Sequence, residues 1–196
     1  MKGKIELNQS KLLRLIIIAL LGTISLLLFF IKFPLPVLPS YLKIDFGDIP
    51  AMIAGLIFSP LAGVMVVAIK NILYFAVSGS ADPIGVTASF AAGVLFVLPI
   101  SIIYHKSKGV KSVISGLITG TIIMALGMSI LNYFFILPAY GWFMGWDVND
   151  KFKWVSVVAG ILPFNIIKGI IISLLFVPLF IRMRSWIEKK QVEFSS

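Results

Sequence analysis

The side chain with the clearest chemical potential is Lys168, a cation in the middle of an apolar stretch that runs from about residue 155 to residue 181. About 20 Å of apolar helix lies on either side of it, at roughly 1.5 Å per residue. A lysine stem of roughly 6 Å does not reach an interface from there. A buried ammonium at this depth needs a partner. Asn165 lies one helical turn earlier on the same face, so the pair predicts an internal polar site in a membrane protein.

Asn132 adds another amide, in the far half of the fifth apolar stretch. With Asn165 and Lys168 it offers amide donors, amide acceptors and a cation, but no carboxylate. Intramembrane polar groups of this kind mark binding sites. Asparagines also bond helices to one another, and a lysine can bond to carbonyls freed by Pro163. Ligand binding and helix stapling are therefore both open on these residues alone.

Five other polar side chains fall into two sets, one in the third predicted helix and one in and just after the first loop. Lys70 and Asn71 fall in the middle of the third predicted helix, where bonds between helices are the favoured interpretation. Asp48 precedes Ile49-Pro50 and is predicted to cap a short second helix. Lys43 and Asp45 lie in the loop before it, and either face a ligand or pair with each other.

The elements that position these groups follow from hydropathy and charge. Hydrophobic residues make up 59% of the 196 positions, and the mean hydropathy is +1.05. The basic clusters at both termini and at residues 105–111 are typical of cytoplasmic segments, so the number of crossings must be even. Pro60 divides the second apolar stretch accordingly. We predict one all-α membrane domain over residues 1–196, a six-helix bundle with both termini cytoplasmic and spans at 12–31, 49–58, 61–78, 84–104, 112–137 and 155–181.

The second of these helices is too short to cross a bilayer alone, because ten residues cover only about 15 Å. The segment before it contains Pro34, Pro36 and Pro39, which exclude a regular helix. Irregular backbone at membrane depth is tolerated where protein buries it or where it lines a cavity. We therefore expect a proline-rich first loop that dips inward from the outside.

The same composition excludes several classes of function. The chain has no cysteine and a single histidine, His105, so no metal centre is expected. It has no phosphate-binding glycine loop, no nucleophilic serine motif and no paired carboxylates within a span. An enzyme, an ATPase and a proton-coupled pump are therefore disfavoured. The net charge of +9 is attributed to membrane topology and lipid attraction rather than to nucleic acid.

Aromatic residues gather in the loop between the fifth and sixth spans. Trp142, Trp146, Trp154 and Tyr140 fit an interfacial belt. A lid over an outward-facing pocket is the alternative.

Four sequence motifs resemble those of a known transporter family. They are the proline-rich run at 33–39, the run YLKIDFGDIP at 41–50, LNYF at 131–134 followed by Leu137-Pro138, and LPFN with Lys168-Gly169 at 162–169. Together they resemble the riboflavin-binding S components of energy-coupling factor (ECF) transporters. The resemblance covers nearly the whole chain and implies a six-helix fold with a vitamin site near the outer face.

The resemblance also implies the binding residues. Asn132, Asn165 and Lys168 would bond the flavin, and riboflavin would be a transported ligand, with no resident cofactor. Ser89 stands where members of the family often have an asparagine before phenylalanine; serine is a shorter donor, so that contact is expected to be lost or water-mediated. The substrate-binding side chains are thus expected to be those of Asn132, Asn165, Lys168, Leu42, Lys43, Asp45 and Ser89.

The family further implies protein partners and a location. These are a transmembrane T subunit and two ATPase subunits in a bacterial plasma membrane, with Ala19, Gly22 and Thr23 of the first helix as the docking residues. Three alternatives remain open at this point. They are an S component for another vitamin or a flavin analogue, a membrane scaffold without a transport role, and a stand-alone facilitator.

Overall fold

The computed structural model describes residues 2–36, 38–78, 82–145 and 147–195. These residues form eight α-helices, two π-helical segments and a two-stranded sheet, in which α5–π1–α6 and α7–π2–α8 are continuous. The elements are α1 (Lys2–Phe30), β1 (Lys32–Pro34), β2 (Lys43–Asp45), α2 (Asp48–Ile57), α3 (Pro60–Val77), α4 (Pro83–Lys106), α5 (Val110–Leu131), π1 (Asn132–Ile136), α6 (Leu137–Met144), α7 (Asp150–Val155), π2 (Ser156–Ile161) and α8 (Leu162–Ser195).

The proline-rich first loop begins and ends in a short antiparallel strand pair, which we call the hairpin. β1 pairs with β2 in the register Lys32 with Asp45 and Pro34 with Lys43. The last two residues of β2, Ile44 and Asp45, are only 0% and 4% exposed. This end of the hairpin therefore lies inside the protein. The chain is therefore almost wholly helical, with this small sheet as the exception to an all-α fold among the described residues.

The break between α2 and α3 has the expected chemistry. Ser59 is the N-cap of α3 and its side chain accepts a hydrogen bond of 3.2 Å from the Ala62 amide. Pro60 follows at the first helical position, where its missing N–H costs nothing. The two helices therefore reverse direction within two residues, and α2 stays short and buried.

Two glycines let α5 approach α4 closely. A Cβ at Gly116 would lie 3.0 Å from the Ile100 Cα, and one at Gly120 would lie 2.8 Å from the Phe96 carbonyl oxygen. Small residues four apart permit backbone contact where a membrane offers no hydrophobic drive for helix association. The backbones of α4 and α5 are therefore closely packed at these two positions.

The two continuous helical stretches α5–π1–α6 and α7–π2–α8 each contain a π-helical segment immediately before a Leu-Pro pair. The Leu137 amide donates to the Asn132 carbonyl, and the Leu162 amide donates to the Val157 carbonyl, five residues back in both cases. Pro138 and Pro163 follow and cannot donate to the preceding turn. The π segments contact each other, and such segments are frequent at functional sites.

Five helical stretches of the described residues are long and apolar enough to cross a membrane, and α2 is a shorter apolar helix. Their outward surfaces carry large apolar side chains such as Leu61 and Leu174, which are 67% and 70% exposed. Trp142 and Trp154 are exposed, as an interfacial belt requires. Tyr140 instead donates to the Asp82 carboxylate at 2.9 Å, and Trp146 lies outside the described residues.

Candidate functional site

Lys168 lies in a buried network of two lysines and two aspartates. Its Nζ is 2.9 Å from Asp45 Oδ2 and 3.3 Å from Asp48 Oδ2. Lys70 Nζ is 2.8 Å from Asp48 Oδ1. The four side chains carry two positive and two negative charges, so the network is neutral as a whole. A buried charge without a partner is strongly destabilising. This network can be buried because its charges balance and each charged group lies close to one of opposite sign.

Four separate elements meet in this network. Asp45 ends β2, Asp48 begins α2, Lys70 is on α3 and Lys168 is on α8. The turn between the aspartates is fixed locally, since the Gly47 amide donates to Asp45 Oδ1 at 2.9 Å. The Ser25 hydroxyl of α1 donates to the Gly47 carbonyl. The network therefore anchors the inward end of the hairpin to three helices.

The carboxylates correct two expectations from the sequence. Asn132, Asn165 and Lys168 were considered as a set without a carboxylate, and Asp45 was expected to face a ligand or to pair with Lys43, but Asp45 and Asp48 are 4% and 0% exposed and both lie beside Lys168. Asp48 was expected to cap α2, and this is wrong. It is the first residue of the helix, Gly47 holds the N-cap position without a side-chain bond, and the Asp48 carboxylate pairs with lysines instead. Ion pairing outcompetes capping because the lysines are buried as well.

The other polar side chains of the loop and of α3 have different partners. Lys70 bonds between helices as predicted, and its Nζ also lies 5.3 Å from the ring centre of Phe29. Asn71 does not, because its amide nitrogen donates to the Val67 carbonyl of its own helix at 2.8 Å. Lys43 is exposed and Asp45 pairs with Lys168, so these two do not pair with each other.

Asn132 and Asn165 are buried and have the same local geometry. Their amide nitrogens donate to the carbonyls four residues back, Met128 at 2.7 Å and Ile161 at 2.8 Å. Neither amide oxygen accepts a hydrogen bond from another described residue. Asn132 opens π1, and Asn165 follows π2 by one turn. Two amide oxygens are thus held in fixed orientation by helices that contact each other, and both are available as acceptors.

The hairpin loop covers the π2 side of this region. A Cβ at Gly160 would meet Pro39 at 3.7 Å and Leu42 at 3.8 Å, which is ordinary contact distance. Leu42 is half-buried there and packs against the core. Ser89 is also half-buried, one turn before Gly93 on the same face of α4. A Cβ at Gly93 would lie 3.2 Å from Asp48 Oδ1, so this face of α4 borders the network.

Sequence reasoning named Asp45 as a candidate but missed its pairing with Lys168, the pairing of Asp48 with two lysines, and both π segments. A signal for the aspartates existed, since a buried lysine requires a counter-charge and few carboxylates lie near the spans. The repeated Leu-Pro pair is the corresponding signal for the π segments. Among the described residues no cluster of His, Cys, Asp and Glu could hold a metal ion. The arrangement is suited to binding a neutral molecule with polar edges through amides and one ammonium.

Comparison with known proteins defines the class. Residues 13–180 match the family described as the ECF transporter, substrate-specific component. A solved structure of the S component of a bacterial ECF transporter superposes with a TM-score of 0.77 at 44% sequence identity, covering 90% of this chain and 98% of that one. The chain belongs to the substrate-specific components of ECF transporters.

Two curated relatives narrow the comparison. The riboflavin transporter FmnP of Bacillus subtilis (strain 168) is 46% identical over 184 residues, which cover 92% of this chain and 97% of the relative. The riboflavin transporter RibU of Staphylococcus aureus (strain TCH60) is 44% identical over 190 residues, which cover 96% and 100%. The resemblance stated from the four motifs is thereby confirmed.

Family and fold together fix the location and the kind of activity. The chain is a multi-pass protein of the bacterial plasma membrane. It is a transporter component, in a family whose members work with ECF T and ATPase subunits, and not a member of an enzyme family.

Proposed function

We propose that this protein captures riboflavin at the outer face of the membrane with high affinity and delivers it inward when an ECF ATPase module drives it. The observation that carries the proposal is the identity of 46% and 44% to riboflavin transporters over nearly the full length of the chain. The buried amides and ammonium beside the first loop support it, because they suit the polar edges of a flavin.

The proposed contacts follow from the chemistry of riboflavin. Its ring presents carbonyl acceptors and an imide N–H, and its ribityl chain presents hydroxyls. The amide oxygens of Asn132 and Asn165 accept from the N–H or hydroxyl groups. Lys168 has three N–H donors. One of them bonds to Asp45 at 2.9 Å, while Asp48 Oδ2 lies 3.3 Å away as an ion-pair contact without a hydrogen bond, so a donor is available for a flavin carbonyl. Asp45 acts in this scheme by orienting Lys168.

The first loop and α4 complete the proposed site. Leu42 covers the ring from the hairpin side, Lys43 lies at the exposed rim, and Ser89 supplies a hydroxyl from α4. The six continuous helical stretches form one membrane domain with both termini in the cytoplasm, in keeping with the basic clusters at the termini and at residues 105–111. The hairpin then lies on the outer side, between the vitamin and the medium.

Transport by reconstituted protein tests this function. Proteoliposomes that contain the chain with an ECF T subunit and its two ATPases should accumulate riboflavin when ATP is supplied. The chain alone should bind the vitamin without accumulating it. Uptake by the chain alone would indicate a facilitator, and uptake of a different vitamin in preference to riboflavin would leave the family standing and change the ligand.

The first helix offers a docking surface for the T subunit, although only part of the expected set is available. Gly22 is buried, and a Cβ there would meet Ile69 of α3 at 2.9 Å or less, so Gly22 serves packing inside the bundle. Ala19 and Thr23 are exposed, and the Thr23 hydroxyl donates to the Ala19 carbonyl at 3.1 Å. We propose that these two small residues form the contact, as small-xxx-small pairs do between membrane helices.

Ala19→Trp should separate binding from transport. The bulky ring prevents close approach of a partner helix, so ATP-driven uptake should fall by about tenfold or more, equivalent to about 1.4 kcal/mol of lost association. Riboflavin binding to the isolated chain should be unchanged. Ile24→Trp is the matched control, since Ile24 is 46% exposed on a different side of α1. Equal losses in both variants would contradict the assignment.

A further inference from the structure

A polar cavity lies at the other end of α2 from the charge network. It has a volume of about 230 Å³ and lies between α1, the end of α2, the end of α4 with its following loop, and the end of α8. Its polar lining consists of Arg14, His105, Lys108 and Gln191. Small-molecule sites usually occupy at least about 300 Å³, so this cavity suits a smaller group than a vitamin.

Two of the lining side chains contact free carbonyl oxygens at the C-terminal end of α2. The Gln191 amide nitrogen donates to the Leu56 carbonyl, and His105 Nε2 lies 2.8 Å from the Gly55 carbonyl oxygen. These carbonyls are among the last of the helix and lack partners within it. Gln191 is only 7% exposed, yet its amide oxygen is buried without a hydrogen-bond partner. The cavity therefore contains one acceptor that requires a donor.

The remaining polar lining is cationic. Arg14 donates to the Ser59 hydroxyl at 3.0 Å and lies 5.5 Å from the ring centre of Phe58. Neither Arg14 nor Lys108 lies within ion-pair distance of a carboxylate among the described side chains. The nearby Glu193 pairs with Lys190 at 2.7 Å. Two cations beside a cavity attract an anion, and the unpartnered amide oxygen calls for an O–H or N–H on the same ligand.

We propose that this cavity binds the headgroup of an anionic phospholipid that also carries a hydroxyl, as a phosphoglycerol headgroup does. The phosphate contacts Arg14 and Lys108, and a glycerol hydroxyl donates to the Gln191 amide oxygen. The lipid is taken as the source because the cavity lies at the ends of membrane helices, on the basic side where anionic lipids gather. Ile57 and Phe58 supply apolar wall for the adjoining glycerol backbone. The inference is independent of which vitamin the outer site takes.

Lipid binding to the purified full chain in neutral detergent tests this proposal by native mass spectrometry. Phosphatidylglycerol should bind at least tenfold more tightly than phosphatidylcholine. The two lipids share the phosphate, but phosphatidylcholine places a trimethylammonium group beside the two cations and has no hydroxyl for the Gln191 amide oxygen. Lys108→Gln should lower phosphatidylglycerol binding by about tenfold. Lys111→Gln removes an exposed lysine from the same basic segment, outside the cavity lining, and should leave binding unchanged. Equal affinity for the two lipids, or equal loss in both variants, would overturn the proposal.

Two further binding measurements identify the ligand. Gln191→Leu should abolish the preference for phosphatidylglycerol over phosphatidic acid, which has the phosphate but lacks the glycerol hydroxyls. Because that ratio is measured on one variant, a general loss of stability cancels, and an unchanged ratio would overturn the hydroxyl contact. Glycerol 3-phosphate at millimolar concentration should not displace the lipid. Displacement at equal potency would show a free-anion site and overturn the lipid assignment.

Discussion

Asp48→Asn is expected to destabilise the folded protein by about 3 to 5 kcal/mol, because it leaves two buried lysines with one carboxylate. Asp48 is 0% exposed and contacts both Lys70 at 2.8 Å and Lys168 at 3.3 Å. The measurement is the thermal unfolding midpoint in detergent at pH 7. Asp150→Asn is the matched control. It alters a pair whose aspartate is 83% exposed, so its effect should stay below about 1 kcal/mol.

Charge balance also predicts that a second substitution should restore part of the lost stability. Adding Lys70→Met to Asp48→Asn removes one charge of each sign and leaves Lys168 paired with Asp45 at 2.9 Å. The double variant should therefore be more stable than either single variant, a coupling that additive effects do not produce. If the two losses simply add, the neutral network is not what stabilises the hairpin against the helices.

The double variant Asn132→Leu with Asn165→Leu is expected to lower riboflavin affinity by about a hundredfold or more. Each substitution removes a buried amide oxygen that accepts from the ligand, at about 1 to 3 kcal/mol per bond. The fold should persist, because each side chain bonds only to the carbonyl four residues back on its own helix. Binding is followed through the quenching of flavin fluorescence.

The chain contains a close control for these amides. Asn71 is 3% exposed and donates to the Val67 carbonyl at 2.8 Å, the same local bond in α3. Asn71→Leu makes the same chemical change outside the proposed site, so riboflavin affinity should be retained. If Asn71→Leu loses as much affinity as the double variant, the amides affect the protein generally and the assignment of Asn132 and Asn165 is wrong.

The location of the polar site in the chain could be predicted because it depends on local sequence. A lysine and an asparagine one turn apart inside an apolar stretch are visible without any structure, and Lys168 and Asn165 are indeed buried, at 7% and 4% exposure. Their roles toward a ligand stay predictions. The break at Pro60 was equally local, because serine before proline specifies a helix start.

The partners of Lys168 could not be found in the same way. Asp45 is 123 positions away in the chain, and its pairing depends on a hairpin whose inward course hydropathy does not show. The capping of α2 by Asp48 was predicted from local preference and is wrong because a tertiary ion pair replaces it. The π segments depend on how two proline-interrupted helices pack against each other. Local propensity therefore specified the elements, while long-range charge pairing specified how the loop is fixed.

Riboflavin binding to the purified chain alone, titrated in detergent through the quenching of flavin fluorescence, tests the central claim most directly. The proposed function predicts tight, saturable quenching by one site per chain, without ATP or other subunits. In a sample that stays folded, Lys168→Met should weaken this quenching, since it removes the ammonium donor proposed for the flavin carbonyl. A folded sample that produces no saturable quenching would contradict riboflavin capture by this protein.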